Sequence, residues 1–589
     1  MLHLLKEYAE KRGLIFGPGI KEKDVRWCLN FDAGGKYLGL SELGDASLKK
    51  NPGRSFQCPD LSFTEMKAGG ITKSHFLVET ADVVALFGKK ADDAKIKLKH
   101  SYFIKLLNKA SDAISGLSLI ANQLEDENML ESIRNDMESR KVKSTDKVTF
   151  MVEDEFLIES KAWLDWWQDF RKSLTADKSS GKSKKETPEL KMRSFLSGEL
   201  VEPIKVSPKI NKLSDVGGQP AGDALCSFKQ DSFCSFGLHQ AVNSAVSEAE
   251  AYIYAGALND ILKKHSTRLA GTKVAHWFKE IVADENDPLS WLEQGAETDE
   301  LNAQHRAKEL LKSIRTGKLP DMHENFYYAL TLSGASGRVM VRDWMEGQFE
   351  ELVENIKQWF SDLEIVNRHG DGLAKPPKFM AVLSATVRKL DDLPAPFVAK
   401  MWRSAVKNEP LSEDALAQAL LRMRVDVIED QPANHARMGL LKAYHIRKNK
   451  IQGKDSMMKC YLNEEHPEPA YHCGRLMAVY ASLQRAALGD VGAGVIQRYY
   501  TAASATPALI LGRVANTSQH HISKLDSKGL AHWYENKIAG IWCQIKDNIP
   551  ATLTLEEQSL FALGFYQQIA SREHKDNENN NQNNQKETN

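Results

Sequence analysis

Along the chain, apolar positions change their period, and each change marks an element. In residues 326–344, FYYALTLSGASGRVMVRDW, Tyr328, Leu330 and Leu332 alternate with Tyr327, Ala329 and Thr331; after Gly334, Ala335, Ser336 and Gly337 the alternation resumes at Val339 and Val341. A period of two sends successive side chains to opposite faces, so this stretch predicts a β-hairpin. Its returning strand carries Arg338, Met340 and Arg342 on one face and Val339 and Val341 on the other. Immediately afterwards Phe349, Leu352, Ile356, Trp359, Phe360 and Leu363 recur at three and four, which predicts an amphipathic helix over 348–363, packed on that sheet.

The same reading applied from the start gives a short opening helix on Leu2, Leu4, Leu5 and Tyr8, stopped at Gly13. A hairpin of residues 25–31 and 36–40 follows, turned by Asp32, Ala33, Gly34 and Gly35. Helical periods run over 99–137 and 156–174, the second ending in Trp163, Trp166, Trp167 and Phe170, whose spacing on one face reads as core rather than as a stacking platform. Residues 191–338 mix short strands, glycine-rich turns and a helix over 247–264. A proline-rich joint at 391–396 marks a boundary, and beyond Ser412 every periodic segment is helical: 412–424, 433–448, 470–488, 495–503, 507–525, 528–548 and a last helix opened by the capping box of Thr554 and Glu557. Leu476, Val479, Tyr480 and Leu483, then Leu530, Trp533, Ile538, Ile541 and Ile545, form apolar stripes of that bundle. The fold class is therefore α+β with a carboxyl-terminal all-α bundle. It divides into an amino-terminal domain (1–170), a basic linker (171–190), a central α+β domain (191–390), the bundle (391–571) and a disordered, Asn- and charge-rich tail (572–589).

Composition narrows the function. A formal net charge of -1 excludes a uniformly basic coat, so any contact with nucleic acid must use local basic surface. Such places exist: RKSLTADKSSGKSKK from Arg171, and the stretch 422–454, with eight basic residues against three acidic. The seven cysteines form no C-x-x-C pair and suit reduced thiols in a cytoplasmic protein. The charged first turns are wrong for a signal peptide, and no apolar run approaches a membrane span. No phosphate-binding loop occurs, and adjacent His520 and His521 cannot share a metal from one helix face, so one is expected buried and the other exposed. No cofactor and no metal are expected, and the chemistry indicated is binding.

Three groups of residues carry that expectation. The loop KAGGITKSHF offers Gly69 and Gly70 for close backbone approach, with Thr72, Lys73, Ser74, His75 and Phe76 as small polar, cationic and aromatic tips; it suits base edges and a phosphate, or an ordinary surface loop. Arg338 and Arg342 share a strand face and suit a phosphate backbone, or a solvated sheet. Arg498, Tyr499, Thr501, Ser504, Arg513, His520 and Lys524 interleave cations, an aromatic and hydroxyls over two successive helices; they suit single-stranded DNA, or helix packing.

The wording LTLSGASGRVMVRDW, together with VRWCLNFDAGGKYLGL, FLSGE, SEAEAYIYAGALNDIL, YHCGRLMAVYASLQRAALG and RYYTAASATPALILGRVANTSQHHISKL, resembles the large-subunit family of the type I-C CRISPR surveillance complex, Cascade. That resemblance, extending over nearly all the chain up to Ser571, implies a non-catalytic subunit of a crRNA-guided complex. Such a subunit reads the protospacer-adjacent motif with its amino-terminal domain, helps open the duplex, holds the displaced strand and docks the helicase-nuclease. Its partners are then the crRNA-bearing backbone subunits, target double-stranded DNA, the displaced single strand, the helicase-nuclease and a small subunit translated from inside the same gene. Met457 and Met458, in the polar stretch 453–469, offer a start for that small subunit, spanning 457–589. The rival reading is a metal-dependent nuclease with an unrecognised site, separated from the first by incubating the protein with DNA and Mg²⁺ or Mn²⁺.

Overall fold

The computed structural model describes every residue except 15, 46–50, 62, 67–71, 89–92, 161, 177–189, 229, 235, 293–302, 317, 320–321, 430–432, 490, 493 and 587–589. The fold is α+β, in two compact units: Met1–Ile210 with Ala224–Asp260, and Asn211–Asp223 with Ile261–Asn589.

In the first unit the hairpin expected near the amino terminus is present as Trp27–Phe31 paired antiparallel with Tyr37–Glu42. Asp32 closes its turn, accepting the Lys36 backbone N–H at 2.8 Å, while Gly35 takes a φ of +80° that suits a residue without Cβ. Trp27–Phe31 also pairs in parallel with Lys147–Val152, which pairs in turn with Glu79–Thr80 and Glu155–Phe156. A parallel neighbour needs a long crossover, and part of it is the single helical period expected over 99–137. That period is three helices, Ala94–Ala110, Leu117–Glu125 and Glu127–Ser139, because Gly116 turns left-handed at one break and the Asp126 side chain caps the Asn128 N–H at the other. The tryptophan cluster is core, as its spacing predicts: Trp163 and Trp167 are buried, with their indole N–H groups donated to the carbonyls of Ile158 and Gly19.

The second unit contains the predicted hairpin, Phe326–Ala335 with Arg338–Gln348, extended by Thr272–Phe278 and Ser266–Leu269 into an antiparallel run. Its turn is tighter than expected. Only Ser336 and Gly337 lie between the strands, with φ of +50° and +82°, the doubly left-handed pair that matches strand twist in a two-residue hairpin. The helix Phe349–Leu363 follows, and all six apolar residues of its stripe are buried.

The proline-rich joint at 391–396 does not divide this unit. Leu393 and Phe397 belong to one continuous core that includes Trp359 on the central helix and Tyr471 in the bundle; the prolines instead open the helix Ala395–Lys407, where a missing N–H costs nothing. Within the bundle the helix Pro469–Leu488 is buried along most of its length. It crosses the last helix closely because Gly474 and Gly564 face carbonyls of the opposite backbone, of Phe561 and Tyr471, where any Cβ would collide. The Thr554 and Glu557 capping box forms as the sequence predicts, each partner bonding the other's backbone N–H. The last helix is Leu555–Lys586. Among the described residues no helix is long and apolar enough to cross a membrane, and all seven cysteines are free thiols.

Candidate nucleic-acid interface

Each of the three sequence candidates, and each basic stretch, has its own outcome. In the amino-terminal loop, Gly69 and Gly70 lie outside the described residues, and the expected tips turn inward. Lys73 is 3 % exposed; Ser74 and Phe76 are fully buried. Phe76 stacks on Trp167 at 5.8 Å and meets Trp166 at 4.9 Å, so the tryptophan face that makes the core also draws in the loop's aromatic. His75, half-buried, accepts the Leu61 N–H on Nδ1 and faces Asp60 at 3.4 Å. Burial, reinforced by Lys23, holds its imidazole below the ordinary value, which suits that acceptor role. Lys73, Ser74 and Phe76 are thus corrected from exposed tips to interior residues, and Thr72 and His75 keep partial exposure.

At the hairpin the shared arginine face is present, by a route the alternation does not show. Between Thr331 and Leu332 the register slips, Thr331 facing Asp343 and Leu332 facing Val341, so Arg342 is the extra residue of a bulge. Its Nε donates to Ser333 Oγ at 2.8 Å, and Ser333 and Ala335 pair with Met340 and Arg338; all three therefore lie on one side. The bulge also corrects Val341, which is exposed rather than buried with Val339. Arg342 is exposed and Arg338 half-buried, and neither forms an ion pair among the described residues. The neighbouring Asp343 is occupied by Arg403, which reaches both carboxylate oxygens, at 3.1 and 3.0 Å, and also Glu409 at 2.7 Å.

In the densest basic stretch, 422–454, most of the cations are taken up within the fold, and Lys450 and Lys454 stay exposed. Arg437 and Arg447 are buried and paired, to Asp426 at 2.6 Å and to Asp362 at 2.7 Å. Lys442 is buried beside the Ser361 carbonyl, and Lys448 bonds Glu556. The linker's first cation, Arg171, lies within the helix Ala162–Ala176, paired with buried Glu65 at 2.8 Å, and the linker's lysines from Lys178 to Lys185 lie outside the described residues.

The bundle's second basic stretch is the opposite case. Between Arg498 and Lys524 the sequence holds no carboxylate. Arg498 and Thr501 are exposed on the helix Val495–Ala503. On the next helix, Pro507–Ile522, Arg513 and His520 are exposed seven residues apart, and Lys524 follows four later, just past the helix end. Seven residues are two turns, so Arg513 and His520 stand about 10 Å apart along one stripe. Arg498, Arg513 and Lys524 form no ion pair among the described residues. His521 is buried where His520 is not, as expected of an adjacent pair; burial, with Lys524 and His520 nearby, lowers its affinity for a proton.

Two members of this group are corrected. Ser504 is buried and gives its hydroxyl to the Thr501 carbonyl at 2.9 Å, which closes the helix end and removes it from solvent. Tyr499 leans against the core and presents only part of its ring. Sequence reasoning missed an aromatic that is available: Trp533, assigned to the apolar stripe of the helix Lys528–Ile545, is 42 % exposed, and Leu530 beside it is also outside. Tyr534 is the residue buried there, a shift of one position that the apolar count could not distinguish. The exposed cations can neutralise phosphates, and an exposed indole can stack on a base.

No curated protein matches the chain. The family model described as CRISPR-associated protein (Cas_Csd1) matches residues 3–572, nearly the whole length, and the chain belongs to that family of CRISPR-associated proteins.

Proposed function

We propose that this chain is the non-catalytic large subunit of a type I-C, crRNA-guided DNA surveillance complex in the cytoplasm. It recognises the protospacer-adjacent motif through its amino-terminal unit, assists duplex opening, holds the displaced strand on the carboxyl-terminal bundle and docks the helicase-nuclease. Guide pairing supplies sequence specificity, and the protein contributes motif reading and backbone contacts. Family membership supports the setting. The observation that carries the strand-holding role is the carboxylate-free run from Arg498 to Lys524, in which Arg498, Arg513 and Lys524 are exposed and form no ion pair among the described residues. Arg338 and Arg342 supply a second, sequence-independent grip on phosphate.

The gene's internal start belongs to the same reading. Residues 454–459, around Met457 and Met458, form no helix, so a chain begun there cuts no element. Its helices bring a core of their own, with Pro469–Leu488 packed against Pro507–Ile522, Lys528–Ile545 and the last helix. Copies of it extend the same cation stripe along the complex.

The test uses the full chain and labelled single-stranded DNA. Replacing Arg498, Arg513 and Lys524 by alanine should weaken binding at low salt and flatten the plot of log affinity against log salt by about 0.7 for each phosphate no longer neutralised. An unchanged slope returns these residues to ordinary solvated surface.

A further inference from the structure

Among the described residues, one group of three side chains has the chemistry and proximity of metal ligands, and the functions above leave it unused. His265 stands at the junction of the helix Glu248–Lys264 and the strand Ser266–Leu269; His276 lies on Thr272–Phe278; Asp287 precedes the short helical turn Pro288–Trp291. Their ligand atoms all fall within 4.8 Å of one another. The two histidines are held by the backbone, because the His276 N–H donates to the His265 carbonyl at 3.0 Å. Asp287 is oriented as well: Oδ1 accepts the Leu289 N–H at 3.0 Å, which leaves Oδ2 toward His276 Nε2, 2.7 Å away. His276 and Asp287 are buried, and His265 is half-exposed at the mouth of the group.

We propose that His265, His276 and Asp287 form a site for a zinc-class divalent transition metal, with a fourth position left to solvent. Two imidazoles and one monodentate carboxylate suit Zn²⁺ and its first-row neighbours, whereas Mg²⁺ and Ca²⁺ prefer oxygen ligands throughout. Ligands about 2.1 Å from a tetrahedral ion stand roughly 3.4 Å apart, so the metal draws the group together and opens the His276–Asp287 contact as it replaces the proton there. That proton leaves to solvent, and both histidines bind as neutral imidazoles. The ion then ties a helix end, the strand Thr272–Phe278 and a helical turn beside the sheet that carries the arginine hairpin.

The experiment takes the full chain, strips it with a chelator and titrates Zn²⁺ against a chromophoric competitor, with Co²⁺ absorption as a second readout of coordination. The site requires about one tightly held ion per chain. His265→Ala leaves the His276–Asp287 hydrogen bond in place, yet should weaken Zn²⁺ by at least about tenfold, abolish the tetrahedral Co²⁺ bands and cancel the rise in melting temperature that Zn²⁺ gives the parent. His276→Gln should do the same where it folds. No saturable Zn²⁺ binding by the stripped parent, or binding that His265→Ala leaves unchanged, overturns the site and makes the group a hydrogen-bonded core pair.

Discussion

Two basic stretches of the second unit, 422–454 and 498–524, differ in how their cations are partnered. In the first, two of the cations meet carboxylates far along the chain: buried Arg447 finds Asp362, and Lys448 finds Glu556. In the second, no carboxylate lies between Arg498 and Lys524, and Arg498, Arg513 and Lys524 have no ion-pair partner among the described residues. The difference teaches that basic density locates nothing by itself. A cation is available to DNA only when its own fold has not already neutralised it, and burial with a partner makes it a matter of stability instead.

The comparison breaks most sharply at Arg447. Its guanidinium bonds Asp362 and the Ser404 and Glu409 carbonyls and lies over Trp359 at 5.2 Å. Burial pulls its pKa down while Asp362 works the other way. Arg447→Ala leaves the buried Asp362 charge without its partner and should cost about 3–5 kcal/mol in urea unfolding followed by tryptophan fluorescence. Arg447→Met with Asp362→Leu should recover most of that loss; a single variant as stable as the parent would show the pair to be idle.

Acid sharpens the same contrast with a smaller effect. His445, buried with Nε2 on Ser559 Oγ at 2.6 Å, is pushed by burial to about 4, and so is His466, by burial and then by His472. Each binds its proton less well folded than unfolded, where the ordinary value is about 6.5. The unfolded chain therefore takes up more protons between these values. Stability is complete above about pH 6.5 and falls toward pH 4, by up to roughly 3 kcal/mol per site. His445→Gln should flatten that acid limb, and an unaltered limb would place the loss elsewhere.

The smallest effect is expected at the exposed stretch. Arg513→Ala or Lys524→Ala should change unfolding free energy by no more than about 0.5 kcal/mol, since neither side chain is buried or paired. A larger cost would mean that the stripe is structural after all.

How much of this the sequence discloses depends on how far each cause acts along the chain. Local causes are legible: the hairpin's alternation, the six buried residues of Phe349–Leu363, the Thr554 capping box and the split of His520 from His521 all follow from neighbours within a few positions. The loop before Phe76 misleads because its fate is decided by Trp166 and Trp167, ninety positions on, which offer its aromatic a dry face. Arg447 and Asp362 likewise meet only through tertiary packing, and no spacing rule joins them. The bulge at Arg342 and the exposure of Trp533 are shifts of one residue, too small for a periodic pattern to register yet large enough to change which face a side chain occupies. The group His265, His276 and Asp287 follows no metal-binding motif, because each comes from a different element.

The central claim, that the bundle's unpaired cations hold the displaced strand, is tested most directly by a photo-crosslinking residue at position 513 in the assembled, crRNA-loaded complex bound to target DNA whose two strands carry different labels. A crosslink to the non-target strand that requires both a matched guide and a correct adjacent motif is expected. A crosslink confined to the target strand or the guide, or none to nucleic acid, would contradict it.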